Sequence, residues 1–455
     1  MALHPWCVAV GAAFIALAGC TCAPLIGAAP FRCETNDACA DNYVCRQGTC
    51  LRLGTFVEDG GYPTRPTTPK GTFQLASTGA GSGRSLTVAD LDGDGVLDAV
   101  MVDDGAVVAL KGRGDRTYGA ELVRLQPPQD LNVNVLVVAD FDSDGRSDLA
   151  FTCFYRNSVF VAQNLGGAAF ATIAEYELPT SNTNITALVS ADFTNDGHTD
   201  LLAYVINESK LYVLPSRADG SFGRVISAAS SLPNANGGQR AQSIDVNRDG
   251  FVDLVVTGGS QSNSVEIVYG KGDGTFQNGR RAFVSCSPSS IRAGEFVGDD
   301  QPEFLVACMG TGLGLYRLDA AMLTAISMVT LPNNLSSNLQ ETALPADLNG
   351  DGRLDLVMAD GTVVLNSPTG FTEPRVSKLS LSYDYDTRYM AVGDADGDGT
   401  ADLLMLSKGP FIKVAAGSGT GGLGAIRSSR YGRLAVSTTS QVNPLRSAAA
   451  DFTGD

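Results

Sequence analysis

Histidine and tryptophan are nearly absent from this 455-residue chain, which contains two His and one Trp. His4 and Trp6 lie within the first nineteen residues, which have the features of a cleaved signal, so the mature chain keeps only His198. Zinc sites built on clustered histidines are therefore excluded, because the ligands are missing. A Ser–His–Asp triad is not expected either, since it needs a positioned imidazole base.

Basic residues are also scarce. The chain has 32 Lys and Arg against 49 Asp and Glu, which gives a formal net charge of −17. This balance argues against a nucleic-acid partner, because phosphate backbones are bound by basic surfaces. Hydrophobic residues make up 44% of the chain and 52 residues are Gly, which predicts a folded, turn-rich β protein rather than a disordered one.

The apolar run at residues 8–18 is too short to cross a bilayer as a helix. It ends in the tetrapeptide LAGC at 17–20, which resembles the lipobox of bacterial lipoprotein signals. The resemblance implies that residues 1–19 are removed and that acyl chains on Cys20 anchor the protein to a membrane. Thr21, in place of Asp, implies the outer membrane or cell surface of a Gram-negative bacterium. An ordinary secretory signal or a misassigned start is the alternative, because the first six residues carry no Lys or Arg.

Ten cysteines are present, and eight remain once Cys7 leaves with the signal and Cys20 takes lipid. Segment 20–53 is too small to bury a core, so its crowded cysteines are expected to form two disulfides. Three connectivities are open for these four residues, which are Cys33, Cys39, Cys45 and Cys50. Cys286 and Cys308 flank a predicted hairpin and are a further candidate pair, which leaves Cys22 and Cys153 without a role. Pro, Gly and Thr at 54–70 predict a semi-extended linker.

A nine-residue acidic pattern recurs at intervals of 47–57 residues along the rest of the chain. Its first copy, DLDGDGVLD at 90–98, has Asp at positions 1, 3, 5 and 9 and Gly at position 6. A worn copy, EFVGDDQPE, occupies Glu295–Glu303, and a further opening, DFTGD, begins at Asp451. The other copies keep the spacing with few changes and start at Asp140, Asp192, Asp245, Asp347 and Asp394.

Each repeat unit predicts four short strands. An alternating segment such as 85–89 precedes the acidic loop, and two apolar runs follow it, as at 98–102 and 107–110. A Gly-rich turn then closes on an aromatic residue, as at Tyr118 or Phe276, before a less regular fourth strand. Four strands per unit is the signature of a β-propeller blade, so the fold class expected for 71–455 is an all-β propeller.

These units resemble FG-GAP and VCBS repeats, the calcium-binding blades of integrin α-chain propellers and of many bacterial surface proteins. The Gly-Ala-Pro that precedes the loop in the integrin version is absent, so the chain is closer to the VCBS type. Seven blades are favoured, with Phe73 and the segment 72–76 supplying an outer strand that closes the ring. A truncated eight-bladed ring is the alternative that the opening at Asp451 suggests.

The acidic loops have the composition of calcium sites. Oxygen ligands at positions 1, 3 and 5, a Gly at position 6 for the turn and a late carboxylate at position 9 follow the logic of calcium-binding loops. By analogy, position 7 offers its backbone carbonyl, so His198 would contribute its main chain rather than its imidazole. The candidate ligands are Asp90, Asp92, Asp94, Val96, Asp98, Asp140, Asp142, Asp144, Arg146, Asp148, Asp192, Asp196, His198, Asp200, Asp245, Asn247, Asp249, Phe251, Asp253, Asp347, Asn349, Asp351, Arg353, Asp355, Asp394, Asp396, Asp398, Thr400 and Asp402.

The loops differ at position 3. Asn247 and Asn349 supply amide oxygens there, Thr194 is a poorer ligand, and Val297 in the worn copy cannot bind, so up to six Ca²⁺ are expected. Carboxylates within one loop repel each other without metal, so calcium should stabilise the fold. A purely structural ion in each hairpin is favoured, and an ion that bridges to an acidic or hydroxylated ligand is the alternative.

A ring of blades exposes faces suited to recognition, so we expect a non-enzymatic module that binds a protein or serves as a scaffold. Lectin-like binding of surface polysaccharide is the alternative; the lack of Trp counts against it, although Tyr383 and Tyr385 can replace its stacking face. A polysaccharide-active enzyme is less favoured, because every clear carboxylate pair belongs to a calcium loop. The Gly-rich stretch Gly417–Gly424 lacks the strand and helix that a phosphate loop needs, and is expected to be a turn.

Overall fold

The computed structural model describes residues 43–46, 49–52, 85–182, 185–205, 208–228, 241–257, 263–277, 279–294, 296–297, 301–308, 312–319, 322–329, 343–358, 360–367, 370–371, 375–376, 385–407 and 411–430. The signal, Cys20, Cys22, Cys33, Cys39, the linker, the strand expected at 72–76, Tyr383 and the opening at Asp451 lie outside these residues. The chain separates into two compact units, Met1–Phe56 and Val57–Asp455. No helix in the described part has the length and hydropathy of a membrane span.

The first unit contains one hairpin, formed by β1 (Tyr43–Arg46) and β2 (Thr49–Arg52). Its antiparallel register places Cys45 opposite Cys50 along the backbone. The disulfide connectivity of this segment stays a prediction.

The described residues of the second unit form seven four-stranded antiparallel units, each called a sheet below; the fourth and fifth are joined edge to edge into one eight-stranded sheet by a parallel pairing of Phe283 with Met322. Sheet 1 comprises β3 (Leu86–Ala89), β4 (Asp98–Asp103), β5 (Ala106–Gly112) and β6 (Tyr118–Leu125). Sheet 2, after a 3-10 turn at Pro128–Asp130, comprises β7 (Val133–Ala139), β8 (Asp148–Cys153), β9 (Ser158–Ala162) and β10 (Ala174–Glu177). Sheet 3 comprises β11 (Ile185–Ala191), β12 (Asp200–Val205), β13 (Lys210–Leu214) and β14 (Ile226–Ala228).

Sheet 4 comprises β15 (Ala241–Ile244), β16 (Asp253–Thr257), β17 (Ser264–Val268) and β18 (Arg280–Phe283). Sheet 5 comprises β19 (Pro288–Gly294), β20 (Glu303–Cys308), β21 (Gly312–Asp319) and β22 (Met322–Val329). Sheet 6 comprises β23 (Leu344–Ala346), β24 (Asp355–Val357), β25 (Thr362–Val364) and β28 (Arg375–Val376), with a two-stranded ladder of β26 (Asn366–Ser367) and β27 (Gly370–Phe371). Sheet 7 comprises β29 (Tyr385–Gly393), β30 (Asp402–Ser407), β31 (Phe411–Gly417) and β32 (Leu423–Arg430).

The inner strands are buried on both faces because each sheet packs between two others. In β4, Ala99 and Met101 belong to the core shared with sheet 7, whereas Val100 and Val102 belong to the core shared with sheet 2. This division follows from the two-residue period of a strand, which sends successive side chains to opposite faces. The apolar runs predicted after each acidic loop are therefore strands with two buried faces.

Seven apolar clusters join the sheets in cyclic order. Six of them connect sheets that are consecutive in the chain. The seventh connects sheet 1, through Leu86 and Met101, to sheet 7, through Leu404 and Ile412. The first and last sheets are thereby neighbours, and the sheets form a nearly closed barrel.

The cysteines of the second unit have distinct roles. Cys286 and Cys308 form a disulfide with a Cα–Cα distance of 5.6 Å, so the predicted pair is confirmed. It ties the segment before β19 to the end of β20, within the core shared by sheets 4 and 5. Cys153 is a buried free thiol in the core between sheets 1 and 2.

Candidate metal centres

The aspartate at position 1 organises each acidic loop. Asp90 accepts backbone N–H groups from Gly93 and Asp94 on Oδ1 and from Gly95 on Oδ2, at 2.8–3.2 Å. The loop therefore wraps around one carboxylate, and its other side chains point towards the same region. The same arrangement recurs at Asp140, Asp192, Asp245, Asp347 and Asp394.

Position 6 needs glycine in every loop. Gly95 has a φ of 84°, and its five equivalents have φ values of 81–87°. This left-handed backbone is accessible to glycine at little cost and is unfavourable for residues with a Cβ. The predicted reason for the glycine is confirmed.

The aspartate at position 9 is buried and fixes the loop to the sheet. Asp98 is 0% exposed; its Oδ2 accepts the N–H of Leu91 at position 2, and its Oδ1 accepts that of Gly112 at the end of β5, at 3.0 and 2.8 Å. The five equivalents accept an N–H from the last residue of strand 3 or from the second residue after it. Because two backbone N–H groups of the sheet depend on this carboxylate, it has a structural role that our sequence analysis missed. The signal was present, since Asp is kept at position 9 even where position 3 holds Thr194.

Burial makes these carboxyl groups weak acids in the metal-free fold. Loss of hydration is the largest cause and raises the pKa of each; the backbone hydrogen bonds oppose the shift, and neighbouring aspartates add to it in most loops. The pKa reaches about 7 at Asp253, and about 6 at Asp98, Asp148, Asp200, Asp355 and Asp402.

This shift predicts an unusual pH dependence for the chelated protein. An unfolded aspartate has a pKa of about 3.9, so between that value and 6–7 the folded state binds protons that the unfolded state does not. In EDTA, stability should therefore rise as the pH falls from about 7.5 to about 5.5, and it should be lost as the pH rises through the folded pKa. With excess calcium the trend should reverse, because protons compete with the metal for carboxylates. Thermal melts across this pH range test both arms, and a metal-free midpoint that falls on acidification contradicts the prediction.

Carboxylate oxygens converge in three loops. In sheet 1 the converging groups are Asp90, Asp92 and Asp94, within 4.8 Å of one another. Positions 1, 3 and 9 converge in the other two, as Asp140, Asp142 and Asp148 and as Asp394, Asp396 and Asp402. A cluster of hard oxygens fits a cation such as Ca²⁺. These clusters are the three loops in which the sequence placed four carboxylates.

In the other three loops, the side chain at position 3 forms a hydrogen bond with a carboxylate of the same loop. The Asn247 side chain binds Asp249, accepting its N–H at 3.0 Å and donating to its carboxylate at 2.9 Å. Asn349 does the same with Asp351. Thr194 donates its hydroxyl hydrogen to the Asp200 carboxylate at 2.9 Å.

Position 7 lies beside position 5 in all six loops. Its N–H donates to the position-5 carboxylate at 2.9–3.0 Å, as from Val96 to Asp94. The imidazole of His198 contacts the preceding loop instead, with Nδ1 3.2 Å from the hydroxyl oxygen of Ser143. The expectation that this imidazole is not a ligand stays a prediction, and the contact gives the ring a different neighbour.

The worn loop of sheet 5 contains an ion pair. Glu303, at position 9, is 0% exposed and accepts the N–H groups of Phe296 and Val297, so it keeps the role of the aspartate. Its other oxygen pairs with Arg317 of β21. A guanidinium therefore neutralises the buried carboxylate here.

Four of the loops accept hydrogen bonds from the next sheet. The turn between strands 3 and 4 donates an N–H to the position-2 carbonyl of the preceding loop: Ala168 to Leu91, and Gly421 to Leu348, both at 3.2 Å. Sheet 4 does the same through Gly274, and sheets 2 and 6 add side-chain bonds from Asn164 and Asn366. The acidic loops are thus part of the contacts between sheets as well as parts of single hairpins.

Comparison with known proteins identifies the repeats. The FG-GAP-like repeat family matches residues 90–151, 140–203, 245–306 and 347–405, together just over half of the 455 residues. None of the curated protein sequences compared with the chain matches it.

Several solved structures are similar in fold. An Agrocybe aegerita lectin that recognises non-reducing terminal N-acetylglucosamine shares 18% identity over 76% of this chain and 79% of its own, with a TM-score of 0.40. A catalytically inactive virginiamycin B lyase from Staphylococcus aureus, with quinupristin, shares 16% over 73% and 94%, with a TM-score of 0.44. The Dos1 propeller shares 11% over 76% and 79%, with a TM-score of 0.46. The chain itself belongs to the family of FG-GAP-like repeat proteins, and its fold is a β-propeller.

Proposed function

We propose that this chain is a calcium-stabilised, non-enzymatic β-propeller that binds a protein partner at the cell surface. The observation that carries the choice of partner is an exposed apolar strip on the outer strands of sheets 4 and 5. The strip consists of Phe283, Met322, Ile326 and Met328, which are 45–58% exposed. Contiguous apolar patches on a protein surface commonly mark the sites where another protein binds.

The strand that carries most of the strip is the longest outer strand without a charged residue, since the other uncharged one, β14, has three residues. β22 has the sequence MLTAISMV and contains no charged residue, whereas β6 carries Glu121 and Arg124 and β32 carries Arg427 and Arg430. Outer strands with charges resist pairing with other chains, and an uncharged one does not. Within the described residues, β22 pairs with β18 through Met322 and Phe283. The chain has a net charge of −17, and β22 is a surface strand whose own residues would not repel an acidic partner.

Calcium at up to six loops is the second part of the proposal. The support is the donor set of hard oxygens around position 1, the glycine at position 6 and the three converged clusters. Bound Ca²⁺ would neutralise carboxylates that otherwise repel one another, and so would stabilise the contacts between sheets.

The repeated chemistry supports a role other than catalysis. Among the described residues, the aspartates whose pKa is raised to about 6–7 all occupy position 9. A perturbed group that recurs once per repeat and binds backbone N–H groups is a structural device, whereas an active site is a single constellation.

Seven blades and a lipid anchor complete the proposal. The cyclic order of the seven apolar clusters supports a seven-bladed ring over a truncated eight-bladed one. The lipobox-like LAGC at 17–20 supports lipidation of Cys20, and Thr21 supports an outer-membrane or surface location.

A lectin-like function is the second candidate, and Tyr155 favours it. This residue is 86% exposed in the turn between β8 and β9 and has a φ of 62°. A bulky residue in the left-handed region is strained, and such strain is concentrated at ligand-binding positions. An exposed aromatic face is the stacking surface that a sugar ring needs, and Arg156 lies next to it with Gln129 as its partner.

A paired binding experiment distinguishes the two functions. The full chain is applied to a glycan array and, with cross-linking, to envelope fractions, each with calcium and with EDTA. We expect calcium-dependent capture of a defined envelope protein that is lost in the Met322→Lys/Met328→Lys double variant and kept in Tyr155→Ala. Glycan binding that is lost in Tyr155→Ala and kept in the double variant would replace the proposal with the lectin. A folded protein that binds in neither format would reject both.

A further inference from the structure

One backbone conformation recurs in the turn between strands 3 and 4 of the different sheets. It occurs two residues before the aromatic or apolar residue that closes the turn. Its φ is positive in each of five sheets: 65° at Arg116, 58° at Ala168, 71° at Gly220, 75° at Gly274 and 77° at Gly421. Glycine is the residue that suits this backbone, and three sheets have it. Sheet 1 places an arginine there, in a conformation that is unfavourable for any residue with a Cβ.

This turn position faces the acidic loop of the preceding sheet. A Cβ added at Gly274 would lie 3.3 Å from Thr194, at position 3 of the loop in sheet 3. A Cβ added at Gly220 would lie 2.9 Å from Asp142, at position 3 of the loop in sheet 2. In these two sheets a side chain at this position would therefore contact the neighbouring loop.

Arg116 enters the acidic loop of sheet 7. Its Nη2 lies 2.6 Å from Asp396 and 2.8 Å from Asp398, and its Nε lies 3.4 Å from Asp402. These residues hold positions 3, 5 and 9, and two of them belong to the converged cluster of that loop. One guanidinium thus contacts the carboxylates that a calcium ion in the same loop would need.

The contact also joins the two ends of the ring. Arg116 and Asp398 are separated by 282 residues, and they belong to the first and last sheets. Two further bonds cross the same junction: Arg427 donates to the Asp115 carbonyl at 2.7 Å, and the Tyr118 N–H donates to the Ser429 hydroxyl at 2.8 Å. Sheets 1 and 7 are not consecutive in the chain, so this junction depends on such contacts together with the apolar core that the two sheets share.

We infer that Arg116 is a built-in cation for the acidic loop of sheet 7: it competes with calcium for Asp396, Asp398 and Asp402, and it holds the first and last sheets together when that loop contains no metal. The calcium arm of this inference rests on the proposed function, and the metal-free arm does not. The worn loop of sheet 5 supplies a parallel, since Arg317 neutralises the position-9 carboxylate there.

The inference gives Arg116 opposite effects in the two metal states. Without metal, the guanidinium is the only cation that the described residues place within 4 Å of Asp396 and Asp398, so its removal leaves repelling carboxylates and a weaker junction. With calcium, its removal frees the ligands, so the loop binds the ion more tightly. The loop of sheet 2 has the same four aspartates and faces Gly220 instead, but its own Arg146 pairs with Asp144, so it also contains a guanidinium.

The test uses the purified full chain and the variants Arg116→Gly and Ala168→Gly. Ala168→Gly is the matched control, because it relieves the same backbone strain in the same turn of sheet 2 without removing a charge. In EDTA we expect Arg116→Gly to lower the unfolding midpoint by about 2–4 °C relative to Ala168→Gly. In calcium titrations by calorimetry we expect one site of Arg116→Gly to tighten by about three- to tenfold, and no site of Ala168→Gly to change.

Each arm can fail separately. Equal midpoints for the two variants in EDTA would overturn the role of Arg116 at the junction. Unchanged calcium affinities in Arg116→Gly would overturn the competition. If calcium binds no site in wild type, the proposed calcium sites are wrong, and the EDTA arm still decides the junction. If Arg116→Gly does not fold, Arg116→Gln replaces it; this variant removes the charge but keeps the strained backbone, so it is compared with wild type, and the same outcomes apply.

Discussion

EDTA should lower the thermal unfolding midpoint of this protein by about 10 °C relative to a calcium concentration tenfold above the dissociation constant. Each bound ion then contributes about 1.4 kcal/mol by mass action, and six loops contribute about 8 kcal/mol. A propeller of this size has an unfolding entropy of about 0.8 kcal/mol per degree, which converts this free energy into the stated shift. Differential scanning calorimetry with and without chelator measures it directly.

The control for this result is the identity of the ion. Excess Ca²⁺ should restore the midpoint, and an equal excess of Mg²⁺ should restore less of it, because Mg²⁺ demands a tighter octahedral site than these loops offer. A wild-type midpoint that EDTA leaves unchanged would show that the acidic loops hold no stabilising metal.

The second large effect concerns position 9. Asp98→Ala should lower the midpoint by about 3–7 °C both in calcium and in EDTA, because it leaves the N–H groups of Leu91 and Gly112 buried without acceptors. Each such group costs about 1–3 kcal/mol. Relief of the buried charge offsets part of this cost, so the effect should be larger at pH 5.5, where the wild-type carboxyl group is mostly protonated at a pKa of about 6.

Asp94→Ala is the matched control in the same loop. Asp94 is exposed, and its main contacts are the Val96 N–H and Lys111. A surface ion pair contributes little to stability, so this variant should lower the midpoint in calcium and leave it nearly unchanged in EDTA. If Asp98→Ala behaves like Asp94→Ala and does not lower the midpoint in EDTA, position 9 acts only as a metal ligand, and its hydrogen bonds to the sheet do not stabilise the fold.

Much of the fold follows from the repeat. The spacing of the acidic loops and the apolar runs after them predicts the strands that follow each loop, such as Asp98–Asp103 and Asp253–Thr257, to within a residue. The Gly-rich stretch after β31 is the predicted turn, since β32 begins at Leu423. These features are local: a period of two and a glycine at a positive φ can be read from neighbouring residues.

The contacts that join the sheets do not follow from the sequence in the same way. The side chain of Arg116 reaches a loop 282 residues away, and no local pattern connects the two. The structural role of Asp98 depends on its hydrogen bond with the N–H of Gly112. The two residues come close together only when β5 pairs with β4. Long-range geometry of this kind requires the register of the strands as well as their positions.

The hydrogen bonds from the sheets to the acidic loops that precede them bear on how the protein unfolds. In an open array of repeats, the terminal units have one neighbour and fray first, so unfolding proceeds from the ends. Here sheet 1 shares its core with sheet 7 as well as with sheet 2. Every described sheet then has two neighbours. Disruption of one acidic loop weakens both the sheet that contains the loop and the sheet that follows it. Loss of a single repeat would open the ring at both of its flanks, which makes the whole set of sheets, and not the single blade, the cooperative unit.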